Sequence, residues 1–275
     1  MNKTSSKVFL IVRWVILIVV LLAIYLPLIT IVVYSFSAAR SVGGEFGDFT
    51  FSLYTKLFQN EKLLNATKNT LIIGLVSATL ATILGSTASI GIFYMKKRAK
   101  SVVDAASQIT VVNAEIVTAM AFFVFILFIR DTVKINVSFN IWWLIITHTV
   151  ITTPYVILTV SPRLKQLNPN LLEASMDLGA GPMRSLFTVM IPQLAGAMIS
   201  GFALAFTLSL DDFVVTKINS FGSNIDTIST YVYSGIRQKL PADIRALSTI
   251  FFVVVLLILI VYNVVKNNKL KKAKK

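Results

Sequence analysis

The sequence predicts an all-α, polytopic membrane protein with six transmembrane helices. Three observations lead there. The chain is 56% hydrophobic and only 14% charged, with a mean hydropathy of +0.79, whereas charged residues make up about a quarter of an ordinary soluble domain. It holds six apolar windows, and about 20 apolar residues suffice to cross roughly 30 Å of hydrocarbon. Its basic residues gather in alternate segments between those windows, as the positive-inside rule asks of cytoplasmic loops.

The windows are residues 14–36, 69–95, 109–129, 142–160, 193–210 and 246–265. The first exceeds the core of a secretion signal, about 7–15 residues, and no clear cleavage site follows it, so it is expected to remain as a span. The second places Gly74, Ala78, Ala81, Gly85 and Ser89 on one face, where another helix can approach closely. The third is expected to be one helix with Glu115 about a turn and a half inside it. The fourth is entered through Trp142 and Trp143, which with Trp14 suit the aromatic belt of the membrane interface. The fifth repeats the small-residue row with Ala197, Gly201 and Ala205. The sixth leads into KNNKLKKAKK, expected to be a solvated, disordered anchor. Pro27 and Pro154 fall inside spans, where neighbouring helices and water can satisfy the backbone groups they free.

With the N-terminus in the cytoplasm, 16 of the 26 Lys and Arg residues lie on inner segments, so both termini are expected there and the chain in a cell membrane. Residues 1–13 are then a cytoplasmic N-terminus, 14–265 a single transmembrane domain with a cytoplasmic loop at 168–192, and 266–275 a basic tail. The net charge of +14 follows from this topology and from attraction to anionic lipid headgroups, about 1 kcal/mol per basic residue near the surface. It does not call for nucleic acid. The chain has no cysteine and a single histidine, His148, which excludes thiolate sites and leaves no imidazole cluster for a metal. His148 is expected to be a hydrogen-bonded interior residue.

The loop LLEASMDLGAGPMRSLFTVMIPQL, residues 171–194, is acidic, glycine-broken and amphipathic. It reads as two short helices. Asn168 can cap the first, Pro169 can occupy its first position and Gly179 can end it. Pro182 starts the second, on which Met183, Leu186, Phe187 and Met190 form one apolar stripe, and Pro192 breaks it from the fifth span. Helices this short are marginal alone in water. The pair therefore needs a surface, either the lipid interface or a groove in a soluble partner.

That loop resembles the EAA loop of ABC-importer permeases, EAA-x3-G-x9-I-x-L-P, in Glu173-Ala174-Ser175, Gly179, Val189, Ile191 and Pro192. Ser175, Val189 and Ile191 are conservative departures. The resemblance implies a type I ABC-importer permease (MetI-like) architecture, with Glu173, Ala174, Ser175, Asp177, Gly179, Ala180, Arg184 and Pro192 forming a coupling helix that seats in an ATPase subunit. The runs AFTLSLDDFVVTKI (205–218), LPADIRALSTI (240–250), TTPYVILTVSPRLKQLNPNLLEAS (152–175) and EIVTAM (115–120) further resemble polyamine importer permeases of the spermidine/putrescine, PotC-like, type. Ala114 departs from that pattern, standing where relatives often carry a proline. The likeness implies a homologous second permease, two ATP-binding subunits that hold ATP and Mg, and an extracellular polyamine-binding protein as partners, besides membrane lipids. The chain itself has no G-x-x-x-x-G-K-[ST] phosphate loop and is expected to carry no cofactor and no enzyme activity.

A polyamine is a cation at neutral pH, so its path should offer carboxylates and aromatic faces. Asp211 and Asp212 at the end of the fifth span are the first candidates; adjacent on a helix, they point about 100° apart, so one is expected to face the path. Interfacial charges or a helix-end hydrogen bond are equally good readings. Glu115 qualifies too, with capping or pairing to Arg163 as the alternative. Tyr155, Tyr231 and Tyr233 could supply rings, although packing is the commoner role of such residues. Eight acids stand against ten basic residues on the outer segments, so electrostatics alone indicate only a small solute. The same machine could carry iron, an opine or another solute. A secondary transporter finds little support, because the spans hold few ionisable residues, and a membrane enzyme lacks a nucleophile–base constellation.

Overall fold

A computed structural model describes residues 3–39, 45–134, 138–168, 170–236 and 242–273. The described residues form α1 (Lys3–Ser35), α2 (Ser52–Gln59), α3 (Glu61–Tyr94), α4 (Lys97–Val112), α5 (Glu115–Asp131), α6 (Ile141–Gln166) and α7 (Leu171–Asp177). They continue with α8 (Pro182–Ser185), a π turn (Leu186–Met190), α9 (Ile191–Asp211), α10 (Val214–Asn219), α11 (Ile228–Ile236) and α12 (Asp243–Ala273). The protein is an all-α, polytopic membrane protein. Among the described residues, four helical stretches are long and apolar enough to cross a membrane: Val12–Ser35, Glu61–Tyr94, Ile141–Gln166 and Pro182–Asp211.

The chain divides into two compact units, Met1–Leu64 with Gly235–Lys275, and Asn65–Ser234. In the first, α12 packs on α1 and α2. Arg245, 7% exposed, ties this unit together. Its guanidinium donates to the carbonyls of Tyr34 at 3.2 Å, Ala39 at 2.8 Å and Ala242 at 3.3 Å, one in the last turn of α1, one in the segment beyond it and one just before α12. Asn60 accepts from the Leu63 amide at 3.2 Å to cap α3 and donates to Asp243 Oδ2 at 2.7 Å. The apolar window of α1 buries nothing within the chain. A surface that large and greasy requires lipid or protein against it.

In the second unit α3, α6 and α9 meet around Ala78, Ala81, Val156, Val160, Leu164, Leu194 and Ala205. The small-residue faces read from the sequence are the faces that pack. α6 runs unbroken through Pro154 and Pro162; around the first, Thr152 and Thr153 hydroxyls donate to the carbonyls of His148 and Thr149, both at 2.7 Å, and so keep polar groups paired inside the helix.

Four expectations are corrected here. Residues 109–129 are not one helix: Asn113 and Ala114 are extended, with ψ of 143° and 132°, so Glu115 opens α5 instead of lying a turn and a half inside a span. Pro192 does not break the chain into the fifth span, because the helix is continuous from Pro182 to Asp211. Proline cannot donate to the carbonyl four residues back, and the π turn just before it widens the ladder to absorb the mismatch. Trp143 is buried among protein side chains and does not face outward as a belt residue would, unlike the exposed Trp14 and Trp142. Residues 266–273, expected to be disordered, continue α12 as helix.

Candidate functional site

An open recess lies in the second unit where α5 begins and α9 ends. The break at Asn113 matters here. By ending α4 early it brings the first turn of α5, with Glu115 and Thr118, to the recess wall opposite His148, Thr152 and Tyr155 of α6, while Ser209 and Asp212 close it from the end of α9. Glu115, Tyr155 and Asp212, three of the six residues expected along a path, thus share one recess. Arg163 is elsewhere: it donates to the Gln193 carbonyl and to Gln166, each at 3.5 Å, so the anticipated pairing with Glu115 does not form.

Asp211 ends α9 and is exposed, outside the recess lining. Asp212 turns inward, its side chain 9% exposed. Its carboxylate caps α10, accepting from the Val215 amide at 3.2 Å, the Thr216 amide at 2.8 Å and the Thr216 hydroxyl at 2.8 Å. The helix-end reading and the recess-lining position therefore both hold for the same residue. Tyr231 and Tyr233 sit in α11, outside the recess lining; the Tyr233 ring lies against Phe213 in a tilted pair with centroids 4.1 Å apart.

Sequence reasoning missed the polar girdle behind Asp212. His148 is an interior residue as expected, with Nδ1 2.7 Å from Ser209 Oγ and Nε2 3.0 Å from Thr216 Oγ1. Asn219 is wholly buried. It donates to the carbonyls of Ala119 and Val215, both at 3.1 Å, and accepts from Trp143 Nε1 at 3.1 Å. α10 is thereby fastened to α5 and α6. The available signal was Thr216 and Asn219 at i, i+3 just beyond the fifth apolar window, since polar groups at membrane depth are retained where they find partners.

The loop forms a second candidate surface. α7 begins at Leu171, with the Asn168 side chain accepting from the Asn170 amide at 3.0 Å, so Asn168 makes a turn two residues ahead of the helix and does not cap it directly. Pro169, expected as the first helical residue, lies outside the described residues. Gly179 has φ of +87°, the left-handed stop that the sequence called for. The Ser175 hydroxyl donates to Ser185 Oγ at 2.9 Å across the bend. The predicted apolar stripe divides: Met190 is buried and Leu186 half-buried against the core, while Met183 and Phe187 are exposed. With Leu178, 90% exposed, they stand beside exposed Glu173, Ala174, Asp177, Gly179 and Arg184, whereas Ser175 and Ala180 are half-buried.

The chain thus combines a recess lined by polar groups with a loop whose exposed residues are both apolar and charged. Residues 81–269 match the family described as the binding-protein-dependent transport system inner membrane component, and the chain belongs to that family. It is similar to the spermidine/putrescine transport system permease protein PotC of Escherichia coli (strain K12), 29% identical over 90% of this chain and 91% of that protein. It is also similar to the putrescine transport system permease protein PotI of the same strain, 30% identical over 86% of this chain and 84% of that protein. Its fold resembles a chain of a bacterial ABC transporter involved in the import of the acidic polysaccharide alginate, with a TM-score of 0.69, 17% identity, and coverage of 94% of this chain and 95% of that one. The chain is a non-catalytic permease subunit of an ABC importer.

Proposed function

We propose that this permease imports polyamines, spermidine or putrescine, and that the recess bearing Glu115, Asp212 and Tyr155 belongs to the path. The observation that carries the reading is the convergence of two carboxylates and an aromatic ring on one cavity, the chemistry a flexible cation needs. The likeness to PotC over nine-tenths of the chain supports the same cargo. Asp211, Tyr231 and Tyr233 lie outside the recess lining.

In this reading six helical spans cross the membrane, with α4 and α5 together forming the third and α12 the last, and both termini lie in the cytoplasm. A homologous second permease completes the pathway. Two ATP-binding subunits, holding ATP and Mg, receive the loop around Glu173, Ala174, Ser175, Asp177, Gly179, Ala180 and Arg184; Pro192 lies where that lever joins α9. An extracellular polyamine-binding protein delivers the cargo. ATP closure of the motor displaces the loop, and because α8, the π turn and α9 are one continuous helix, the displacement is carried along α9 to the recess. Such alternation requires ATP to bind one state of the complex better than the other.

The decisive experiment reconstitutes the chain with its second permease, ATPase and binding protein in liposomes and compares ATP-dependent uptake of labelled spermidine and putrescine with that of ferric chelates and opines. Saturable polyamine uptake with stimulated ATP hydrolysis is expected. Uptake of another solute alone would retain the importer and replace the cargo, and uptake without the ATPase would overturn the coupling.

A further inference from the structure

His148 is 3% exposed and both ring nitrogens are engaged, so the protons around it can be assigned by counting donors. Thr216 owns one hydroxyl proton. Its oxygen lies 2.8 Å from Asp212 Oδ2, and an ionised carboxylate only accepts, so that proton points at Asp212. Thr216 Oγ1 must then accept from His148 Nε2 at 3.0 Å, which places the ring proton on Nε2. In a neutral imidazole Nδ1 is then the acceptor and takes the Ser209 hydroxyl at 2.7 Å. The tautomer is fixed by its partners. What results is a one-way chain of donors, Ser209 to His148 to Thr216 to Asp212, drawn from α9, α6 and α10.

That chain ends on one oxygen. Oδ2 takes the Thr216 hydroxyl and the Thr216 amide, each at 2.8 Å, and has His148 Nε2 at 3.5 Å. Oδ1 has the Val215 amide at 3.2 Å. A carboxylate oxygen can accept about two hydrogen bonds, so the capacity left over belongs to Oδ1, on a side chain that lines the recess.

We infer that His148 is a positioning residue of the substrate recess: acting through Thr216, it locks the Asp212 carboxylate so that Oδ1 is presented to a substrate ammonium group. The inference rests on the reading of the recess as a polyamine path. Without the relay the carboxylate keeps its two backbone-amide bonds, at 3.2 Å to Oδ1 and 2.8 Å to Oδ2, but loses the hydroxyl on Oδ2, so its terminal torsion, a broad and soft coordinate, is held less tightly and Oδ1 is less sharply directed. His148 itself carries no charge in this role and makes no contact with the cargo.

The test uses the reconstituted importer complex, with labelled spermidine uptake measured per ATP hydrolysed. Thr216→Val removes the hydroxyl while keeping the shape, and Thr216→Ser restores it; His148→Phe removes the donor to Thr216. Losing the hydroxyl bond to the carboxylate is expected to lower the ratio roughly tenfold in Thr216→Val, with a smaller fall in the same direction in His148→Phe and Thr216→Ser close to the parent. A packing defect would lower uptake and hydrolysis together and leave their ratio unmoved, which overturns the inference. Asp212→Asn separates the two levels. If it too keeps the parental ratio, the recess reading fails; if it is defective while Thr216→Val and His148→Phe transport normally, only the positioning role fails.

Discussion

Val156 of α6 stands against Gly85 of α3 with no room between them: a methyl group at position 85 would lie 2.7 Å from Val156 Cβ and 3.1 Å from the Thr153 carbonyl oxygen. Gly201 of α9 meets the other side of the same residue, where a methyl group would sit 3.1 Å from Val156 Cγ1 and 2.7 Å from Thr159 Oγ1. One valine is thus held between two glycines, and three helices reach close packing through it. In a membrane, where lipid is as apolar as leucine, such contact is what holds helices together. Gly85→Ala and Gly201→Ala should each destabilise the bundle by about 1–3 kcal/mol, the usual effect of overpacking. Adding Val156→Ala to Gly85→Ala should recover part of the loss, because the clash is shared and the changes are not additive. Thermal unfolding in detergent, followed by tryptophan fluorescence, reads both effects; an unchanged midpoint for Gly85→Ala would contradict the packing.

Arg245 offers a different kind of constraint. Its three carbonyl contacts at 2.8–3.3 Å join the end of α1 to the start of α12, and no side-chain carboxylate pairs with it among the described residues. Hydrogen bonds from a charged donor are worth about 1.5–3 kcal/mol. Arg245→Met should therefore loosen residues 34–39, while Arg245→Lys, which loses the planar fork, should recover only part of the order. Hydrogen exchange at the amides of residues 34–39 should accelerate in Arg245→Met; protection equal to the parent's would show that the fork is dispensable.

The small-residue faces and the glycine stop were legible in the sequence because each rests on a local rule, the helical repeat for Ala78, Ala81 and Gly85 and the left-handed backbone for Gly179. The break at Asn113 was not. Neither Asn113 nor Ala114 is a glycine or proline, so no local breaker marks the extended backbone there, and the apolar periodicity runs on past it. Pro192 misled for the opposite reason: proline is a strong local signal, but the π turn ahead of it removes the conflict that usually ends a helix. In the recess, Glu115, Tyr155 and Asp212 were visible as polar or aromatic residues at membrane depth. Ser209, Thr216 and Asn219 were not singled out, since their meaning depends on a short helix, α10, folding back under His148.

The two adjacent aspartates should behave unequally. Asp212 lines the recess and caps α10, whereas Asp211 is exposed at the end of α9. Asp212→Asn keeps an acceptor for the Thr216 amide and loses the charge, so a strong loss of polyamine uptake is expected with the complex still assembled. Asp211→Asn should transport within about twofold of the parent, as an exposed charge change contributes well under 1 kcal/mol. Equal defects in the two variants would remove the distinction that the geometry draws.

Gly179 tests the lever itself. Its φ of +87° is closed to proline, whose ring holds φ near −65°, and a side chain there is disfavoured by about 1–2 kcal/mol. No neighbouring atom lies within 4 Å of where a Cβ would stand, so an alanine meets no clash and acts through the backbone alone. Gly179→Ala should then weaken coupling modestly, and Gly179→Pro should force the bend open. The Ser175 to Ser185 hydrogen bond across that bend would be lost with it, and Leu178, Met183 and Phe187 would no longer present one surface. The prediction is a Gly179→Pro chain that inserts and binds its second permease but copurifies poorly with the ATPase and shows little polyamine-stimulated hydrolysis. Ser175→Ala, which removes only the brace, should fall between Gly179→Ala and the parent. Full stimulated hydrolysis in Gly179→Pro would mean that the motor engages some other part of the chain, because no backbone carrying proline at that position can keep the observed turn.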